Sequence, residues 1–317
     1  MTGCIFLDAA AVTAALPISS LHNHLNTFLP VADVISPNRH RHSITPASDL
    51  LLMPSWSTKT LSYLGIKIVT SFPGNSSRKH RLPGIHATYS LFSSSTGVPL
   101  ASIDGTCLTL IRTAAISALA ARYLAPLDSR ILIVVGAGAL APHLIRSHLF
   151  VRPSIQRVII WNRTVGKARE LAEAFADWAE GVLFEHSSFL DDVVGLGDMV
   201  VCATSSDEAI VKGRLLKPRS HLNLLGSFTP SMRECDDEAI RRGMVFVDCE
   251  AAMEEAGELV TTKRSDVVGT LVDLIRAGKN VDGKYQSSEA VTVFKSVGSA
   301  EFDLLAAQLA YENNIKG

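Results

Sequence analysis

The runs "ILIVV", "RVIIW", "MVVC" and "HLNLL" are apolar without alternation, and "MVFVD" repeats the pattern further on. A strand that shows one face to water alternates apolar and polar residues, whereas a strand covered on both faces does not. These runs therefore predict buried parallel strands. Helical or loop segments separate most of them, which implies crossovers and a doubly wound α/β domain over about 129–290. The chain before it reads as mixed strand and loop, broken by prolines at 30, 37, 46, 54, 73 and 83. Within that part "GIKIV" sets Lys67 between isoleucines. Ile66, Ile68 and Val69 suit a half-buried strand, whose period of two turns every second residue to water, so on pattern alone Lys67 faces out. "TLIRTAAISALAARYLA", residues 109–125, predicts an alanine-rich helix stopped by Pro126. The final "EFDLLAAQLAYENN" is amphipathic and suits a return to the first domain.

Composition narrows the partners. A chain of 317 residues exceeds one ordinary core, so two domains are expected: 1–125 together with 291–317, and 126–290. With 47% apolar and 19% charged residues it is a globular chain with ample core, and a net charge of -1 offers no field for nucleic acid or an anionic membrane. Small molecules and further copies of the chain are the expected partners. Cys4, Cys107, Cys202, Cys235 and Cys249 form no CxxC pair, and no His/Cys cluster has metal spacing. Reduced thiols, no metal and a cytoplasmic location are the corresponding expectations. The start carries no basic n-region of a signal peptide, and no apolar run approaches the roughly 20 residues that span a bilayer. The histidines of "RHRHS" and "LHNHL" lack a carboxylate or cysteine at ligand spacing and read as solvated.

The chemistry starts at "VVGAGALA", where Gly136, Gly138 and Ala141 fill the three places of a dinucleotide fingerprint, with Ala139 and Leu140 between them. The motif follows a strand and opens a helix, the context it requires. The first glycine permits the tight turn, the second lets backbone approach a pyrophosphate, and Ala141 keeps helix and strand close. Free amides and a partial positive charge at the helix N-terminus favour the anion. An NAD-binding fold normally ends its second strand in Asp or Glu, but "VIIWNRT" ends in Asn162, Arg163 and Thr164. Removing a carboxylate and adding a guanidinium favours the 2′-phosphate of NADP(H).

"GIKIVTSFPGN", "DGTCLTLIRTAAISALAARYLA", "VGAGALA", "WNRT" and "VFKSVGSAEFD" stand in an order that resembles the ornithine cyclodeaminase/mu-crystallin family, over about residues 31–312. The resemblance implies a homodimer with a Rossmann domain and a second α+β domain for substrate and dimerisation. It implies that Lys67 lies in the active site near substrate and nicotinamide, not in water, and that Arg39 and Arg112 hold a substrate carboxylate. Two guanidinium forks can clamp one carboxylate and fix the reacting carbon. By the same resemblance Thr113 contacts cofactor phosphate, Thr204 and Ser205 pass the cofactor, and Ser296 lies close to the nicotinamide. His86 either lines the pocket or packs. An ammonium out of water exchanges a proton readily or stays charged and stabilises an iminium-derived transition state, and sequence leaves both open.

Two departures matter. Cyclodeaminases carry an aspartate in a G-x-D-x-P-G-type segment, and alignment on Pro230 puts Phe228 there. Many relatives have Gln where this chain has Leu140, a small change because backbone amides bind the phosphates. With "WNRT" resembling mu-crystallin, the reading is an NADPH-dependent reductase of a cyclic imine or ketimine carboxylate, giving a product such as proline or pipecolate. A cyclodeaminase-like lyase or an amino-acid dehydrogenase is the alternative within enzymes, and a non-catalytic NADPH- or ligand-binding protein the alternative outside them.

Overall fold

The computed structural model describes residues 3–77, 82–278 and 291–316. The chain divides into two units, Met1–Thr113 with Ser299–Gly317, and Ala114–Gly298.

The first unit is built on a seven-stranded sheet. Its order is Ile5–Leu7, Pro99–Asp104, Ile85–Ser93, Tyr63–Ser71, Ser48–Ser57 and Val34–Ile35, with His40–Thr45 also paired to Ser48–Ser57. Ile5–Leu7 runs parallel to its neighbour and every other pairing is antiparallel. The helix Ala300–Lys316 packs on the sheet beside Ala9–Ala15 and Ile18–Phe28. Along Tyr63–Ser71 the buried positions are Gly65, Lys67 and Val69, while Ile66 and Ile68 are only partly buried. The alternation is real, but its phase is opposite to the one that apolar content suggests. The face covered by Ala300–Lys316 takes the lysine because that helix supplies its counter-ion. Gly65 answers a close approach: a Cβ there would sit 2.4 Å from Tyr89 Oη.

The second unit holds an eight-stranded sheet whose pairings are all parallel. Its order is Leu183–Ser187, Arg157–Trp161, Ile131–Val135, Met199–Cys202, His221–Leu224, Val291–Lys295, Gly243–Val247 and Val267–Thr270. The five strands read from apolar runs are present, and residues of both parities are buried. Ile133, Val135, Val200 and Leu222 join one core, and Leu132, Val134, Val158 and Val201 join the other. Each such side chain contributes about 1.5–3 kcal/mol on leaving water. The edge strands Leu183–Ser187 and Val267–Thr270 escape the pattern because they are partly polar. Val291–Lys295 corrects the expected boundary. It is buried throughout and pairs on both sides in the parallel sheet, so the return to the first unit begins after it rather than at 291.

The helix Gly105–Leu124 also corrects an expectation, since its 20 residues include an 18-residue stretch of mean hydropathy 1.3, long and apolar enough to cross a bilayer. Here 67% of that stretch is buried inside the protein, so its apolar positions serve cores. Its C-terminal carbonyls would be orphans without a donor. Arg152, 4% exposed, supplies one. Its Nη2 donates to the carbonyls of Ala121, Arg122 and Ala125 at 3.0, 2.9 and 2.7 Å, and its Nε to that of Pro126 at 3.1 Å. Arg152→Met is expected to cost about 3 kcal/mol, read as a lower urea midpoint at unchanged slope. A midpoint equal to the parent's would show that these carbonyls find water instead.

Candidate active site

In the first unit Lys67 leaves the centre of the strand Tyr63–Ser71, flanked in register by Met53 and Tyr89. Its Nζ lies 2.7 Å from Asp303 Oδ2, and Arg112 Nε donates to Asp303 Oδ1 at 2.8 Å. Lys67 and Arg112 are each 3% exposed and Asp303 0%. Arg39, partly buried just before the strand His40–Thr45, is near enough for its charge to act on Lys67. Burial is the main reason that the Lys67 ammonium falls from 10.5 to about 8; Asp303 opposes the fall while Arg112 and Arg39 add to it. Burial alone would raise Asp303, but Arg112 and Lys67 outweigh it and hold the carboxyl below its ordinary value. Arg112 Nη1 is buried and has no hydrogen-bond partner among the described residues. A buried cationic donor of this kind calls for an acceptor, and a ligand carboxylate is the natural one. Two cations held on one carboxylate leave the Lys67–Asp303–Arg112 cluster attractive to an anion.

Asp303 is the residue that local pattern missed. It lies 191 residues from Arg112 in sequence, and no spacing announces the pairing. The available signal was a carboxylate inside the apolar run "FDLLAA", a place that a charge occupies only when paired. His86 does not join this cluster. It pairs with Thr70, an odd number of residues from Lys67, so the pleat points it to the opposite sheet face, where it is exposed. Thr113 follows Arg112 on the helix and is partly buried.

In the second unit the expected cofactor residues collect at the carboxyl ends of adjacent parallel strands, where open α/β sheets bind ligands. Gly136 follows Ile131–Val135 with φ +109, and an added Cβ would meet the Ala203 carbonyl at 2.6 Å. Gly138 has no atom within 4 Å of an added Cβ, so open space lies before the turn. Ala139 is exposed, Leu140 partly buried, and Ala141 fully buried at the start of the helix Ala141–Val151. These features fit a dinucleotide's pyrophosphate. Asn162 spends its amide on the fold: Oδ1 accepts from the Ala137 amide at 3.1 Å, and Nδ2 donates to the Thr164 carbonyl at 3.0 Å. It thus ties the second strand to the glycine turn, leaving Arg163 and Thr164 exposed beside it. Thr204 is partly buried and Ser205 exposed after Met199–Cys202. Phe228, 40% exposed, follows His221–Leu224. Ser296 follows Val291–Lys295 and donates to Asp248 Oδ2 at 2.7 Å.

Known proteins similar in sequence or fold carry telling names. Protein SAR DEFICIENT 4 of Arabidopsis thaliana is 50% identical over 319 residues, covering 97% of either chain. The ketimine reductase mu-crystallin of Mus musculus is 36% identical over 287 residues, covering 90% of this chain and 84% of that one. Among solved structures, Thermococcus litoralis Delta(1)-pyrroline-2-carboxylate reductase in complex with NADH and L-proline matches with a TM-score of 0.88 at 26% identity, covering 98% of either chain. The family model for the ornithine cyclodeaminase/mu-crystallin family matches residues 8–317, and the chain belongs to that family.

Proposed function

We propose that the chain is a reductase of cyclic ketimine carboxylates, that it prefers NADPH to NADH, and that it works as a homodimer. The observation that carries this reading is the buried Lys67–Asp303–Arg112 cluster, whose Arg112 Nη1 lacks a partner among the described residues. A substrate carboxylate satisfies that atom, with Arg39 as the second guanidinium. Lys67, with its pKa near 8, is mostly protonated at neutral pH and donates a proton to the imine nitrogen. The turn Gly136–Ala141 would hold the pyrophosphate, Arg163 with Thr164 the 2′-phosphate, and Thr204, Ser205 and Ser296 the nicotinamide end; Thr113 would touch a phosphate. When bound, the cofactor supplies a hydride to the imine carbon, and the product is a cyclic amino acid. The names of the relatives support the imine class, and the absence of a carboxylate at 161–164 supports NADPH.

Cyclodeamination is the weaker reading. Phe228 stands where the lyases carry an aspartate, and Glu234, a nearby carboxylate, is fully buried and accepts from the protein's own backbone. With 1-pyrroline-2-carboxylate and 1-piperideine-2-carboxylate the protein is expected to consume NADPH faster than NADH and to form proline and pipecolate. Arg163→Asp is expected to weaken NADPH binding roughly 10- to 100-fold and to leave NADH binding nearly unchanged. Tight NADPH binding without turnover of either imine would defeat the reductase reading in favour of a binding protein. Ammonia release from ornithine without net NADPH consumption would favour the lyase.

A further inference from the structure

A second buried charge cluster lies within the Ala114–Gly298 unit. Glu234 and Lys295 are 0% exposed, Glu258 1% and Ser227 0%. Lys295 Nζ stands 3.9 Å from Glu234 and 3.6 Å from Glu258. It also donates to Ser227 Oγ, which in turn donates to Glu258 Oε2. Glu258 Oε1 accepts the Glu234 amide at 2.7 Å. Two carboxylates and an ammonium out of water stabilise a fold poorly compared with apolar packing, so such a cluster calls for an explanation beyond stability.

Glu234 shows where the cluster points. Its Oε1 accepts both the Thr204 amide at 2.8 Å and the Thr204 hydroxyl at 3.1 Å, and its Oε2 accepts the Gly226 amide at 2.7 Å. Thr204 follows the strand Met199–Cys202, and Gly226 follows its neighbour His221–Leu224. One carboxylate therefore bolts together two loops at the ligand-binding edge of the sheet. The join is close, since a Cβ on Gly226 would lie 1.8 Å from the Thr204 carbonyl oxygen. Thr204 Oγ has one proton and gives it to Glu234, so towards any ligand that oxygen can only accept.

We infer that Glu234, with Lys295 and Glu258 behind it, is a positioning group for the nicotinamide cofactor: it fixes Thr204 Oγ as an acceptor for a donor on the cofactor, a carboxamide N–H or a ribose hydroxyl. This rests on the reading that the unit binds a nicotinamide cofactor. Both Glu234 oxygens face donors, so a glutamine would turn its NH₂ against an N–H or O–H whichever way it is flipped. Burial raises the Glu234 carboxyl above its ordinary value, and Lys295 and the two amides pull it back.

The test is a double-mutant cycle on the full chain, with NADPH binding followed by fluorescence and turnover measured on 1-piperideine-2-carboxylate. Thr204→Val and Glu234→Gln are each expected to raise the NADPH Kd about tenfold. The double variant is expected to bind within about twofold of the weaker single, because Glu234 acts through Thr204. Thr204→Ser, which keeps the hydroxyl, is expected to bind like the parent, and the KM for NADPH is expected to follow the Kd in each variant. A merely structural role would give additive losses of about a hundredfold in the double variant, and that result overturns the proposal. Should Glu234→Gln fail to fold, parent-like binding by Thr204→Val overturns it alone, and a tenfold loss restored by Thr204→Ser sustains it. If the parent protein binds neither NADPH nor NADH, the cofactor reading itself falls. Tight binding by parent and variants alike removes only the positioning role.

Discussion

Lys67→Met is expected to lower kcat for cyclic ketimine reduction by about a hundred- to ten-thousandfold, the usual weight of a proton donor, while NADPH affinity stays within about twofold. Methionine fills the same volume without a proton or a charge, so the loss reports chemistry more than packing. The parent should show the matching pH dependence. Lys67 titrates at about 8, chiefly because it is buried, and only the ammonium donates. The kcat/KM for reduction should therefore be highest below that pH and fall as pH rises through about 8. Steady-state rates across the neutral and alkaline range check both statements. A flat profile, or a variant that turns over at the parent's rate, would take the proton-donor role from Lys67.

Asp303→Asn is expected to destabilise the fold by about 3–5 kcal/mol, because it leaves the Lys67 and Arg112 cations buried without their anion. The pH dependence has a definite sign. Lys67 already has a folded pKa below the 10.5 of an exposed lysine, and Asp303 is the group that holds it up. Without Asp303 the folded value drops further. Between that value and 10.5 the unfolded chain then binds more protons than the native one, so stability rises with pH across the window and falls as pH drops through the folded pKa. Urea melts should show the largest deficit at neutral and acid pH and a smaller one under alkaline conditions. The falling limb of the variant's rate profile should move to the acid side of the parent's. Parent-like stability at neutral pH would mean that water or another anion replaces the carboxylate.

Legibility followed the range of the interactions. The buried strands, the glycine fingerprint at Gly136 and Gly138 and the acid-free end of the second strand are local signals, and each appears in the structure. Lys67 was readable only in part. Its period of two was evident, but which face was covered depended on a helix that starts at Ala300. Asp303, Glu234, Glu258 and Lys295 act through partners far away in the chain, and a carboxylate in an apolar run is the sole hint that sequence gives of such pairing. Asn162 adds a role that its place beside the cofactor motif did not announce, since its side-chain amide holds the backbone of Ala137 and Thr164.

The place of Val291–Lys295 sets the order in which the molecule can be made. This strand, among the last segments of the chain, lies between His221–Leu224 and Gly243–Val247 and joins five strands on one side to two on the other. During synthesis those two pieces cannot become one sheet until residue 295 has emerged. Until then the edge of His221–Leu224 presents unpaired amides and carbonyls to any other chain, as the edge strand of an incomplete sheet does. A polypeptide cut short before 291 should therefore accumulate as an aggregation-prone fragment and not as a smaller working protein. The late, long-range insertion should also make this parallel sheet slow to form.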